Sequence, residues 1–339
     1  MAKYEIQQKD PAEYKDQLIE FWEEYLPGTP RGRLEWMNEN PAGRPTWFFA
    51  FDKKTGNMVG TISIMPRLLS YKGQVIRTGS FGDIMVHKKF RVLGPALQLP
   101  KTLVKEYASL GYDCIYALPN ADAKKLMKWA GLKYENTLSH YVKPLSIKPY
   151  IEKKVPAPLD SILAKVVDPW MKLVSRETYD MSGDHVCEEH EIDSSFDIFW
   201  NDLKNDSVCI IGDRSSQYLK WKYQLNPLAT YSFITAREKK SSRLMGYMFF
   251  TIENDRMSII DLIALDNKRL LPLIKKGAAI GKSEGCKALY IRINRNNRIV
   301  PILNKCLFVD GKDDADLLFL STETMLQDEW DFLDVDRNI

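Results

Sequence analysis

One pattern, met twice, constrains this chain of 339 residues more than any other feature. Leu34-Glu35-Trp36, Asn40-Pro41, the run Trp47 to Ala50 and Val59-Gly60 recur as Leu219-Lys220-Trp221, Asn226-Pro227, Tyr231 to Ala236 and Met245-Gly246. The proline-to-glycine interval is nineteen residues both times. Further along, Gly111, Tyr116 and Asn120 return at the same intervals as Gly285, Tyr290 and Asn294. Two matching constellations in one order indicate a duplicated unit. The length suffices for two units that each bury a core.

Within the first unit, Asp10-Pro11-Ala12-Glu13 opens a helix with an N-cap and a proline in its first turn. Tyr14, Leu18, Phe21, Trp22 and Tyr25 then repeat at helical spacing until Pro27-Gly28. A short helix over Arg33 to Glu39 follows. Trp47 to Asp52, Met58 to Met65 and Val75 to Thr78 read as antiparallel strands joined by glycine turns. Helices over Thr102 to Leu110 and Ala121 to Trp129 flank a buried strand, Tyr112 to Leu118.

Between these elements lies the stretch Gly82 to Leu97. Ile84, Met85 and Val86 form strand, His87 to Phe90 make a basic turn, Gly94 permits a positive φ, and Pro95 suits the first position of a helix. Such a turn gathers backbone N–H groups at the positive end of a helix dipole, which is an anion site.

Arg91-x-x-Gly94-x-Ala96 after a strand ending at Val86 resembles the acyl-CoA pyrophosphate loop of the GNAT superfamily of N-acyltransferases. The order helix, helix, three strands, strand, turn, helix, strand, helix resembles that superfamily's over residues 10 to 143. Asn120 with Ala130-Gly131-Leu132 resembles its second motif. The fold this implies is α/β (α+β): two tandem GNAT-like domains, each a mixed, mostly antiparallel sheet flanked by helices. We expect the first over 1–145, a connector with one helix near Leu159 to Val167 over 146–195, and a second domain over 196–339. The second unit runs from its strand into Asp266 to Pro272 with no glycine before Gly277, which predicts one acyl-CoA per chain.

The resemblance places a thioester carbonyl or the pantetheine at the N–H of Val86. It places the pyrophosphate at the turn Val92, Leu93, Gly94, Ala96 and Leu97, with Arg91, Lys88 and Lys89 adding charge and Asn120 lining the cosubstrate. It also implies a bulge in the strand carrying Asp83 and His87. Those two are candidates for base or acceptor orientation; the alternative is that Asp83 caps local backbone and His87 is a solvent-facing turn residue. Met127 stands where the family commonly offers a tyrosine as acid. A thiol of ordinary pKa, about 8.5, leaves without a strong acid, and Tyr116, Tyr134 or Tyr141 are substitutes or core residues. Pro100 removes one helical hydrogen bond and predicts an opened or kinked first turn. Arg214, Tyr218, Trp221 and Tyr223, with Arg33, Trp36 and Trp47, would bind the acceptor if it lies between domains. The alternative is that the tryptophans anchor two equivalent helices.

The expected function is acyl-CoA-dependent N-acyl transfer to a primary amine, by family likeness an amino sugar on a nucleotide carrier. The alternatives are a non-catalytic acyl-CoA-binding module and a peptidoglycan-type aminoacyl-transferase, against which the acyl-CoA turn argues. Five cysteines scattered without a C-x-x-C pair suggest neither disulfides nor zinc, and His185, Cys187 and His190 lack a fourth ligand. A net charge of +3 does not mark a nucleic-acid binder. No apolar run approaches a membrane span and the N-terminus lacks a signal-like apolar core, so the expected place is the cytoplasm, with no membrane partner. Residues 328–336, acidic but carrying Trp330 and Phe332, read as a docked terminal segment.

Overall fold

A computed structural model describes residues 3–91, 94–152, 154–180, 182–206, 209–321 and 336. The first half builds β1 (Tyr4–Gln8), α1 (Lys15–Tyr25), α2 (Arg33–Asn38), β2 (Thr46–Asp52), β3 (Met58–Tyr71), β4 (Gln74–Val86), α3 (Pro95–Glu106), β5 (Cys114–Ala117), α4 (Ala121–Ala130) and β6 (Lys133–Pro144). Two helices, α5 (Lys148–Ile151) and α6 (Leu159–Val174), lead to the second half. There follow β7 (His185–Glu189), α7 (Ser195–Asp206), β8 (Ile211–Gly212), α8 (Ser216–Leu219), β9 (Ser232–Arg237), β10 (Leu244–Glu253), β11 (Arg256–Ala264), α9 (Leu270–Ser283), β12 (Ala288–Asn294), α10 (Val300–Lys305) and β13 (Val309–Ser321).

Local chemistry explains the turns. Lys72 and Gly73 both take positive φ between β3 and β4, as a two-residue hairpin turn requires. These strands run further than the sequence suggests, because one continuous hairpin replaces three short strands. The Asn120 side chain caps α4 through the Ala123 amide at 2.9 Å, and Gly131 at φ +118° ends it.

The strands form one sheet in the order β1-β2-β3-β4-β5-β13-β6-β12-β11-β10-β9-β7, with β8 beside β3. The halves are interleaved. β13, the last strand of the second half, pairs with β5 of the first, and β6, the last strand of the first, pairs with β12 of the second. The boundaries expected at 145 and 196 therefore cut through shared structure. β7, expected in a connector, pairs with β9 at the sheet's far edge as β1 pairs with β2.

Trp36 and Trp221 sit where the halves meet, with ring centroids 4.6 Å apart and planes 5° apart. Each indole N–H donates to the other's backbone carbonyl, at 2.8 and 2.7 Å. One hydrophobic cluster runs from Leu18 and Trp22 through these rings to Phe249 and Leu303, so the halves share a core. A buried charged cluster adds to it. Arg214 pairs with Asp261 at 3.0 Å and with Asp336 at 3.1 Å, and Arg67 of β3 pairs with Asp336 at 2.8 Å. Asp336 thus ties the end of the chain to both halves; Trp330 and Phe332 lie outside the described residues.

Candidate active site

β4 and β5 lie parallel but pair only over Thr78–Ser80 and Cys114–Tyr116. Beyond that, β4 continues to Val86 while β5 stops at Ala117, so a wedge opens between them. A bulge directs the divergence. The β3–β4 register slips between Thr61/Met85 and Ser63/Gly82, where the resemblance implies it, and Asp83 takes φ +47° there.

The direction of one amide follows from this register. His87 N–H donates to the Val59 carbonyl at 2.9 Å, so the neighbouring pair Gly60–Val86 is a non-hydrogen-bonded one. Its N–H and C=O groups point away from the facing strand. The Val86 carbonyl receives Arg91 Nε at 3.1 Å, and the Val86 amide faces the wedge. Gly60 is tightly enclosed: a Cβ there would lie 3.0 Å from the Met85 carbonyl oxygen and from Val86 Cγ2 of β4, and 3.3 Å from Leu99 Cδ1 of α3.

Asp83 does not behave as a free base. Its side chain is sealed from solvent, pairs with Arg33 at 2.9 Å, and accepts from Trp22 Nε1 at 3.1 Å and Ser63 Oγ at 3.0 Å. The second half repeats the device. Gly60 faces Val86 and Gly246 faces Ala264; three residues before each lies a buried aspartate, Asp83 or Asp261, held by an arginine, Arg33 or Arg214. Asp83 lies inside the register slip of its strand, whereas Asp261 stays in register with Phe249, next to the slip; both carboxylates are held by a buried arginine. His87 is half-buried, and its Nδ1 accepts from the Lys89 amide at 3.4 Å. The neutral ring then carries its proton on Nε2, making it a donor there.

The turn itself corrects several expectations. Gly94 has φ −161°, extended backbone that any residue adopts; glycine is required instead because a Cβ would lie 2.7 Å from the Tyr4 ring. The amides of Leu97 and Gln98 both bond the Gly94 carbonyl at 3.2 Å, so Leu97 is committed within α3. The Gly94 and Ala96 amides have no acceptor among the described residues, and Val92 and Leu93 lie outside them. α3 runs through Pro100 to Glu106 without opening. Arg91 lies 5.0 Å over the Tyr25 ring, Lys88 N–H reaches the Tyr25 hydroxyl at 3.3 Å, and Lys88 Nζ pairs with Glu24 at 3.4 Å. Tyr4 and Tyr25 were missed in the sequence: nothing in β1 or α1 signals that both meet this turn.

The remaining candidates also move. Asn120 uses its side-chain oxygen to cap α4 through the Ala123 amide. Arg214 is wholly buried, Trp221 stacks on Trp36, and Tyr223 stacks on Phe249 at 4.0 Å, so all three are core and none faces an acceptor. Met127 is buried in the α3–α4 cluster. Tyr116 and Tyr141 are buried too; burial pushes the Tyr116 hydroxyl above its usual range, and it donates to the Asp336 carbonyl. The Tyr134 side chain lies outside the described residues. His185 and Cys187 stand on β7, and among the described residues no three His, Cys, Asp or Glu side chains gather as metal ligands.

In the second half β11 and β12 also part, after Ile259 and Ile291, around a cavity of about 240 Å³ lined by Leu262, Ala264 and Asp266. There Asp266 Oδ1 takes the Lys268 and Arg269 amides at 2.8 and 3.2 Å. These bonds close a local turn ahead of α9.

No protein-family model and no curated protein matches the chain. Among solved structures it is similar to a conserved protein of Enterococcus faecalis whose description reads "Probable N-Acyltransferase" (TM-score 0.69, 9% identity, 94% of this chain and 72% of the other). It is similar also to a GCN5-related N-acetyltransferase of Anabaena variabilis (0.66, 12%, 93% and 72%). A third likeness is to Saccharomyces cerevisiae N-myristoyltransferase with bound myristoyl-CoA (0.58, 12%, 94% and 78%). The chain has the fold of the GCN5-related N-acetyltransferases. Identities this low establish fold alone.

Proposed function

We propose that this protein is an acyl-CoA-dependent N-acyltransferase. The observation that carries the reading is the Val86 amide, turned out of the β-ladder into the wedge between β4 and β5. A thioester carbonyl set against it gains a donor for the charge that builds on oxygen during attack. The diphosphate would sit at the Gly94 and Ala96 amides with Arg91, Lys88 and Lys89 around it. In the reaction a C–N bond forms and the C–S bond breaks; the amine's proton passes to solvent and the thiolate departs. With Asp83 sealed and His87 a donor at Nε2, the chain's contribution is positioning and carbonyl polarisation. His87 is proposed to orient the acceptor. One acyl-CoA per chain is proposed because the second half runs from its strand into Asp266 to Pro272 with no glycine before Gly277.

The acceptor is a primary amine, and the resemblance to sugar N-acyltransferases puts nucleotide-linked amino sugars first among those to try; a cytoplasmic site of action goes with such a donor and acceptor. A second reading, an acyl-CoA-binding module without turnover, draws on the lack of a free base. The test is amine-dependent CoA thiol release across a panel of amines and amino sugars, with calorimetric binding of acetyl- and longer acyl-CoA. Wild type should bind one acyl-CoA and release thiol. Gly94→Asp, which puts a carboxylate in the turn and a Cβ against Tyr4, should lose both. Binding without release across the panel favours the module; no binding refutes both readings.

A further inference from the structure

Helix α6 presents an apolar face to solvent. Ile162, Leu163, Val166, Trp170, Leu173 and Val174 are all exposed, Val166 by 66% and Trp170 by 61%. At 3.6 residues per turn they fall within about a third of the helix circumference, along a rod of roughly 24 Å. A contiguous stripe of this kind on a soluble fold marks an interaction surface.

Charge decides what covers it. The two carboxylates of α6 turn inward: Asp160 is buried, and Asp168 takes the Ser146 hydroxyl at 2.7 Å and the Ile147 amide at 2.9 Å. The charges left outside on the helix are Lys165 and Lys172, with Glu152 and Lys154 before it and Arg176 after. A cavity of about 450 Å³ on the packed side of the helix, away from the stripe, sets Lys172, Lys275 and Lys282 beside Asp168 and Glu177 and so adds no net positive flank. A second copy of the chain would set lysine flanks together with no exposed carboxylate of α6 to neutralise them. An anionic bilayer supplies both an apolar layer for the stripe and negative headgroups for the lysines. We propose that α6 lies in the headgroup region of an anionic membrane and holds the protein at its surface. No described helix is long and apolar enough to cross a membrane, and a surface-lying helix needs no such length.

Co-sedimentation of the full chain with vesicles tests this, using phosphatidylcholine with and without phosphatidylglycerol. Wild type should partition to the anionic vesicles and weaken at high salt. Trp170→Glu and the double variant Lys165→Glu/Lys172→Glu should each lower partitioning by at least about tenfold. Both alter exposed side chains, and circular dichroism should show an unchanged fold. Failure of wild type to bind anionic vesicles overturns the proposal, as does binding indifferent to both variants. So does a wild-type dimer in light scattering that Trp170→Glu makes monomeric, which would give the face to a second copy.

Discussion

Replacing Asp83 with asparagine separates a fastening from a base. Asn accepts the left-handed backbone that Asp83 occupies at φ +47°, so the change removes charge with little added backbone strain. What is lost is the charge of one partner of Arg33, whose side chain is only 5% exposed. Breaking a buried ion pair from one side costs about 3–5 kcal/mol. With an unfolding entropy near 2.1 cal/mol/K per residue, a chain this long should lose roughly 4–7 °C of Tm if it unfolds as one unit. Thermal unfolding followed by circular dichroism at neutral pH reads that shift. Thiol release measured well below the new midpoint should stay within about tenfold of wild type, whereas loss of a general base would cost about 10²–10⁴. The double variant Arg33→Met/Asp83→Asn should recover part of the stability. An unchanged Tm with turnover abolished would refute the fastening and restore Asp83 as the base.

Trp36→Ala should destabilise by about 3–5 kcal/mol, since it empties the stack on Trp221 and removes the bond to its carbonyl; a single urea transition at lower midpoint would show that the halves unfold together. Gly94→Ala should weaken acyl-CoA binding by pushing Tyr4 aside, and calorimetry on Gly94→Ala/Tyr4→Ala should find binding partly regained. Asp336 is buried, which favours its neutral form, but Arg214 and Arg67 outweigh this and hold its pKa below the usual value. A lowered folded pKa means stability that is present above the unfolded value near 4 and lost as pH falls through the folded one. Asp336→Asn should therefore lower the neutral-pH midpoint and flatten the acid side of the profile. Asp261, pushed up chiefly by burial and also by the nearby Asp336 carboxylate, contributes with the opposite sign, and Asp336→Asn relieves part of that upward push.

Much of the fold was legible because it is written in spacing. The repeated Trp, Pro and Gly positions predicted two equivalent units, and the strand, turn and helix around Val86 were legible in order, while the bulge was implied by the family resemblance. The repeat glycine has a reason that only packing reveals: Gly60 is enclosed by β4 and α3, while at Gly246 a Cβ would lie 2.7 Å from that of Ala264. Arg214, Trp221 and Tyr223 were misread as acceptor contacts because polar and aromatic side chains look alike whether they face a ligand or a buried partner. The partners in question, Asp261, Asp336, Trp36 and Phe249, are tens to hundreds of residues away.

By itself, then, the sequence determined the duplicated α/β pattern, the order of elements and the location of the turn, since these depend on residues close along the chain. Only the tertiary structure decided that β6 and β13 change places between the halves, that Asp83 is buried against Arg33, and that the Val86 amide faces the wedge. Those outcomes depend on strand register and on burial. Register sets which way each N–H points, and burial sets whether a carboxylate meets water or an arginine.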